Sequence, residues 1–164
     1  MTVTGKTNKT KANNVVSSDF DLWVLLDQTR FAISRSRELE LAHFGLTQMH
    51  AHVLFALLSS GGAATLYEIA KFTMRQHHSV STLVKRMEQQ GLVKRTKNPT
   101  DNKIQIVITP KGRQLYEKAT QSSIEMIFSS LSGKEKQELT HSLKQLRGKA
   151  RNLLGIDYKP PFLP

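Results

Sequence analysis

The sequence predicts a mainly α-helical fold with one small β-hairpin, and three observations carry that reading. Apolar residues recur at helical spacing through most of residues 19–155, with capping residues where the helices should begin. Within residues 65–112 two short helical segments meet at a tight turn, and the second carries Val80, Leu83, Val84 and Met87 at i, i+3, i+4 and i+7. Gly91 then stops that segment, and two β-branched runs follow around a polar loop. Two helices, a turn and a hairpin in this order make a helix-turn-helix with an attached β-wing, an arrangement suited to reading duplex DNA.

The bulk numbers fit a single domain. At 164 residues and 38% hydrophobic content the chain can bury an ordinary core. The longest apolar run, VLFALL at 53–58, is far short of the ~20 residues a membrane helix needs. The N-terminus lacks the apolar segment and cleavage site of a secretory signal, so a cytoplasmic location is expected. There are no cysteines, which excludes disulfides, zinc thiolates and thiol switches. Lys+Arg exceed Asp+Glu by 24 to 13, a net charge of +11 that favours a polyanionic partner.

Taken in order, residues 1–17 are polar, with Lys6, Lys9 and Lys11 as their only charged side chains, and read as a flexible basic N-terminal arm. A long helix is expected from Asp19 to about His43, its apolar stripe made by Leu22, Leu26 and Ile33 and broadened by Trp23, Leu25 and Ala32. Arg30, Arg35, Arg37 and Glu38 populate its other faces. Gly45 stops it, and Thr47 caps a helix over 48–60 that is apolar almost all round and so belongs at the centre of the core. Thr65 and Glu68 form a capping box opening a helix to Thr73, with Ile69, Ala70 and Phe72 inward. The next helix runs from about Gln76 to Gly91. Strands are expected at 92–97 and 104–109, joined by the turn formers Asn98 to Asn102. Thr109 and Pro110 then start a helix predicted to continue to about Ser129. A second capping box, Ser132 to Glu135, opens a last helix striped by Leu139, Leu143, Leu146, Ala150 and Leu153. The end of the sequence, DYKPPFLP, is proline-rich and extended, and could dock through Phe162 or Leu163.

This pattern resembles the MarR family of winged helix-turn-helix transcriptional regulators. The residues that carry the resemblance are Leu46-Thr47, Leu66-x-Glu68-Ile69-Ala70, Ser79-Val80-Ser81 and Leu83-Val84-x-Arg86-Met87-Glu88. Gly91-Leu92-Val93-x-Arg95, Asp101 and Thr109-Pro110-Lys111-Gly112 complete it, over about residues 19–155. The resemblance implies a homodimer and hence a winged helix-turn-helix embedded in a helical dimerisation domain. On that basis residues 18–46 and 110–164 form the helical dimerisation region and residues 47–109 the DNA-binding region. The chain departs from the family in its wing. Where the family has Asp-x-Arg near the tip, this chain has Asp101-Asn102-Lys103, the span to Thr109 is one residue short, and Thr82 stands where arginine is common. Lys103 can neutralise a phosphate but lacks a planar guanidinium fork.

Charge is concentrated on the motif. From Arg75 to Arg113 nine basic residues face only Glu88 and Asp101. The DNA-binding residues expected are Arg75, Gln76, His77, His78, Ser79, Ser81, Thr82, Lys85 and Arg86 from the recognition helix, with Arg95, Lys97, Asn102 and Lys103 from the wing. Gln76 suits adenine, the hydroxyls and His77 are adaptable donors or acceptors, and Lys85 suits the backbone. Arg86 has two open roles, a DNA contact or an ion pair with Asp101 that would fasten wing to helix. The six histidines show no metal-binding spacing: His50 and His52 point some 200° apart on a helix, and there is no HExxH. No phosphate loop, nucleophile elbow or paired carboxylate suggests an enzyme, and no cofactor is expected.

The resemblance further implies a small aromatic or anionic effector, for which Trp23, Arg30, His43, Phe44, His50 and Phe55 are candidate lining residues. The expected protein is therefore a dimeric, sequence-specific regulator, a repressor reading a pseudo-palindromic operator, with double-stranded DNA as partner and no membrane association. The alternative is a winged helix turned to protein–protein contact without sequence-specific DNA binding.

Overall fold

The computed structural model describes residues 18–119 and 121–157. The arm expected over 1–17 and the proline-rich stretch from 158 onward lie outside the described residues. Among the described residues seven helices and three short strands follow in order: α1 (Asp19–Ala42), α2 (Gln48–Ser59), β1 (Ala63–Ala64), α3 (Leu66–Thr73), α4 (His77–Gln89), β2 (Val93–Lys97), β3 (Ile104–Ile108), α5 (Pro110–Lys118), α6 (Ser122–Phe128) and α7 (Gly133–Leu153). The chain divides into two units, 1–32 and 33–164.

In the first unit the described chain is the N-terminal part of α1. Its expected inward stripe is open in the single chain: Leu22, Trp23, Leu25 and Leu26 are all exposed, as are Phe20 and Phe31. The ring of Phe20 lies 5.6 Å from that of Trp23, and Arg30 pairs with Asp27 at 3.1 Å.

The core sits in the second unit, around α2. Val53, Leu54 and Leu57 are fully buried there, with Leu41, Ile69, Val80, Val84, Met87, Val93 and Ile106 packed into the same cluster. Burying each such side chain contributes about 1.5–3 kcal/mol, so this cluster is what fixes the motif helices in place. Thr47 caps α2 as expected, but its partner is a histidine: His50 sits in the third position and its Nδ1 accepts from the Thr47 amide at 3.4 Å. The capping boxes Thr65–Glu68 and Ser132–Glu135 both form.

α4 ends as its sequence requires. Gly91 adopts φ +72°, which lets the Leu92 amide bond back to the Met87 carbonyl at 2.9 Å. β2 and β3 pair antiparallel, Val93 opposite Ile108 through Lys97 opposite Ile104. The sequence did not indicate β1, whose two alanines pair with Val107 and Ile106 and complete a sheet of order β1-β3-β2.

The helix expected from Pro110 to about Ser129 is broken. α5 ends at Lys118, Ala119 turns to an extended ψ of 103°, and α6 starts afresh at Ser122. No proline or glycine marks this joint. The cause is Glu40 on α1, whose carboxylate accepts from the Ser122 amide at 2.9 Å and the Ser122 hydroxyl at 2.8 Å, and from the Ser123 hydroxyl as well. The stripe of α7 is open to solvent, with Leu139, Leu143, Leu146 and Leu153 exposed.

Candidate nucleic-acid interface

The turn between α3 and α4 presents the second helix end-on. Thr73 donates its hydroxyl back to the Ile69 carbonyl at 2.8 Å, Met74 takes the left-handed region at φ 52°, and the Arg75 amide closes onto the Ala70 carbonyl at 3.1 Å. Gln76 occupies the N-cap of α4 without a side-chain cap bond. The first amides of the helix therefore point outward with the positive end of its dipole, a natural seat for phosphate.

With Val80, Val84 and Met87 buried, the opposite face of α4 is set. Arg75, Gln76, His77, His78, Ser79, Thr82, Lys85 and Arg86 are all exposed, and Ser81 is half-buried. Thr82 spends its hydroxyl proton on the His78 carbonyl at 3.0 Å, so toward a base edge it can only accept. Beside this face lies an open cleft of about 560 Å³, lined by Tyr67, Lys71, Met74, Arg75, Gln76 and His77 among others. Tyr67 and Lys71 were not among the expected residues. Lys71 stands 5.3 Å from the Tyr67 ring centre, one helical turn along the outer face of α3. Their i, i+4 spacing was the available signal, but it falls before the basic run that begins at Arg75.

The wing is fastened to α4 differently from the arrangement considered for Arg86 and Asp101. Asp101 pairs with Lys103 at 3.1 Å and accepts from the Lys103 amide at 3.1 Å; Arg86 remains exposed. Those Lys103 hydrogen bonds hold the Asp101 carboxyl below its ordinary range. The link between helix and wing is instead Glu88 to Arg95. The Arg95 amide donates to Glu88 at 2.9 Å, its guanidinium lies 3.6 Å from the same carboxylate, and it reaches the Ser81 carbonyl at 3.5 Å. Arg86 lies two residues before Glu88, about 200° around the helix, and it is Glu88 that meets β2. At the tip, Asn98 and Lys103 close the loop at 2.8 Å and Asn102 takes φ 57°, leaving Lys97, Asn102 and Lys103 exposed.

The six residues expected to line an effector site are divided between the two units. Trp23 and Arg30 belong to the first unit, described above. In the second, His43 is exposed with its Nδ1 2.8 Å from the Leu39 carbonyl, and Phe44 packs on the core. His50 is buried in its capping box, and burial pushes its pKa down. Phe55 alone of these lines a cavity of about 280 Å³, together with Arg37, Leu41, His52, Tyr116 and Ile124. Burial first, and then the charge of Arg75, push the His52 pKa down; burial pushes Tyr116 up, opposed by the charge of Arg37. No group of three potential metal ligands occurs among the described residues, nor any helix long and apolar enough to cross a membrane.

Element order, sheet order and the helix–wing link define a winged helix-turn-helix protein. Residues 44–104 match the sequence model of the MarR family. The organohalide-sensing transcriptional regulator RdhR, solved with 2,4-dichlorophenol, is 27% identical, over 90% of this chain and 91% of that one, with a TM-score of 0.72. AbsC from Streptomyces coelicolor, a MarR-family regulator, has 23% identity over 82% and 97% of the two chains and a TM-score of 0.73. MepR of S. aureus, solved with DNA, has 23% identity over 81% and 96% and a TM-score of 0.67. Among curated proteins none matches. Over residues 44–104 the chain is thus similar to the MarR family, and the solved structures it resembles are transcriptional regulators.

Proposed function

We propose that this chain is a homodimeric transcriptional repressor that binds a pseudo-palindromic operator and is released by a small aromatic anion. The observation that carries the reading is the outer face of α4. Eight exposed polar or cationic side chains stand there around an uncapped helix N-terminus, with the wing lysines Lys97 and Lys103 beside them. Phosphates are met by Arg75, Lys85 and Lys103, and by Lys71 from α3; base edges are met by Gln76, His77 and Ser79. The DNA-bound MepR supports the same use of the fold.

A second chain is supported by what a single chain leaves uncovered. The apolar residues of α7, and those of α1 in its own unit, form long stripes open to solvent, which is how an interface between helices is written. For the effector, the cavity beside Phe55 offers aromatic and aliphatic walls with one buried cation, Arg37. The phenol-bound relative supports a ligand of aromatic character.

Selection of duplexes from a random pool by the full chain tests the reading. Enriched sites should carry two related halves about one helical turn apart. Log K against log salt should fall with a slope of several, and Lys103→Ala should flatten that slope by about one while weakening all sequences alike. No enrichment above the salt-sensitive background would leave a protein-binding winged helix as the better description.

A further inference from the structure

The face offered to DNA carries apolar side chains that phosphate does not account for. Tyr67 and Met74 stand 60% and 58% exposed there, and with Ala70 they line the 560 Å³ cleft beside Arg75, Gln76 and His77. One more residue lines the same cleft from far along the chain, Ile156. The ending of α7 brings it there. Gly155 takes the left-handed region at φ +63°, and the Ile156 amide turns back to donate to the Arg151 carbonyl at 3.0 Å. Ile156 is half-buried, while Leu154 and Asp157 on either side are exposed.

From Ile156 the sequence runs on through Asp157 into Tyr158-Lys159-Pro160-Pro161-Phe162-Leu163-Pro164. Its composition suits the cleft, with two aromatic rings, a leucine and three prolines, and Lys159 as its one charge. Prolines have φ fixed in advance, so seating such a segment costs less entropy, and proline-rich segments commonly dock against aromatic side chains such as Tyr67. The reach is right as well. Seven residues extend at most about 25 Å. α4, thirteen residues long, spans about 20 Å.

We infer that residues 158–164 seat in this cleft of their own chain, Phe162 and Leu163 against Tyr67 and Met74, and that DNA and the segment exclude one another. The seated segment covers Gln76, His77 and the uncapped start of α4, so a duplex must displace it. Observed affinity is then the intrinsic affinity reduced to the fraction of chains whose cleft is open. The inference rests on the reading of α4 as the helix that meets DNA, and adds a competitor carried by the chain itself.

Photocrosslinking of the full chain tests the seat. Phe162→p-benzoylphenylalanine, irradiated without DNA, should attach within its own chain to the peptide spanning Tyr67 to Met74. Tyr67→Ser should lower that yield several-fold, and the selected duplex should suppress it. Crosslinks that miss this peptide, or that join two chains, overturn the seat. In binding, Phe162→Ser with Leu163→Ser should raise affinity for the selected duplex about five-fold at an unchanged salt slope, as for a cleft filled about four-fifths of the time. Unchanged affinity overturns the exclusion, and so does weaker binding, the result if Lys159 held the DNA backbone. A full chain that selects no duplex would overturn the regulator reading, while the crosslink without DNA would still judge the seat.

Discussion

Gly112 is where the seam between recognition helix and wing tolerates least. It lies in the first turn of α5, and a Cβ added there would sit 2.1 Å from the Leu92 carbonyl oxygen and 3.0 Å from its carbon. A close carbon–oxygen contact is about 3.3 Å, so the overlap exceeds an ångström, and the obstacle is backbone. Relief requires the start of α5 to move away from the Gly91–Leu92 turn. That movement breaks two bonds, Thr109 hydroxyl to Gly91 carbonyl at 2.6 Å and Thr109 amide to Leu92 carbonyl at 3.1 Å. Overpacking costs about 1–3 kcal/mol and each lost hydrogen bond about 1 kcal/mol, while the better helix propensity of alanine offsets about 1 kcal/mol. The net expectation for Gly112→Ala is a loss of about 2–4 kcal/mol. Urea unfolding at fixed protein concentration measures it, with a fall in Tm of roughly 5–15 °C. Gly148→Ala is the control: nothing lies within 4 Å of its added Cβ, so it should stabilise α7 by up to about 1 kcal/mol. If Gly112→Ala proves as stable as the parent, the close packing of α5 on Leu92 is wrong.

His50 and His52 both have pKa values depressed by burial, so the unfolded chain binds more protons below the ordinary histidine range. Their contribution to stability should be complete above about pH 6.5 and lost as pH falls below it. His50→Gln keeps the capping-box geometry without the titration, and its unfolding free energy should depend less steeply on pH between 5 and 7; an unchanged slope would remove His50 from the account. Glu88 and Arg95 are each more than a third exposed, so Glu88→Ala should cost at most about 1 kcal/mol of stability. It should nonetheless speed exchange of the Arg95 amide and lower DNA affinity several-fold; unchanged exchange would show that Glu88 does not hold the wing.

Most elements were legible because their signals are local. Thr65 with Glu68, Ser132 with Glu135, Pro110 after Thr109 and the glycine after α4 each state a boundary within four residues of it. What escaped was set from a distance. Ala63 and Ala64 have little strand preference, and only pairing with Ile106 and Val107 makes them β1. The α5–α6 joint is imposed by a carboxylate some eighty residues earlier, and nothing between Ala119 and Ser122 announces it. His50 completes a capping box whose usual third residue is Glu or Gln, so no local signal marked its ring as a partner for the backbone. Arg37 was hidden in another way. On a helical projection of α1 it reads as one of several outward charges, yet it is nearly buried beside a cavity.

The same limit explains why α2 and α7 read alike and behave differently. Both carry apolar residues at spacings of three and four, and both patterns were read as faces to be covered. α2 meets its covering elements within the chain, so Val53, Leu54 and Leu57 vanish from solvent. Among the described residues, Leu139, Leu143, Leu146 and Leu153 of α7 remain open. Periodicity says that a face will be buried but not by what, because the driving force is the removal of apolar area from water, whichever chain supplies the cover. The distinguishing mark lies in the flanking composition. α2 is apolar almost all round and must be enclosed, whereas α7 sets its leucines among the polar and charged residues Lys136, Gln137, Lys144 and Arg147. On the proposed reading of the chain as a dimer, the exposed stripe of α7 is the face a second chain would cover, and the spacing of two α4 helices on DNA would be decided there and not within the motif itself.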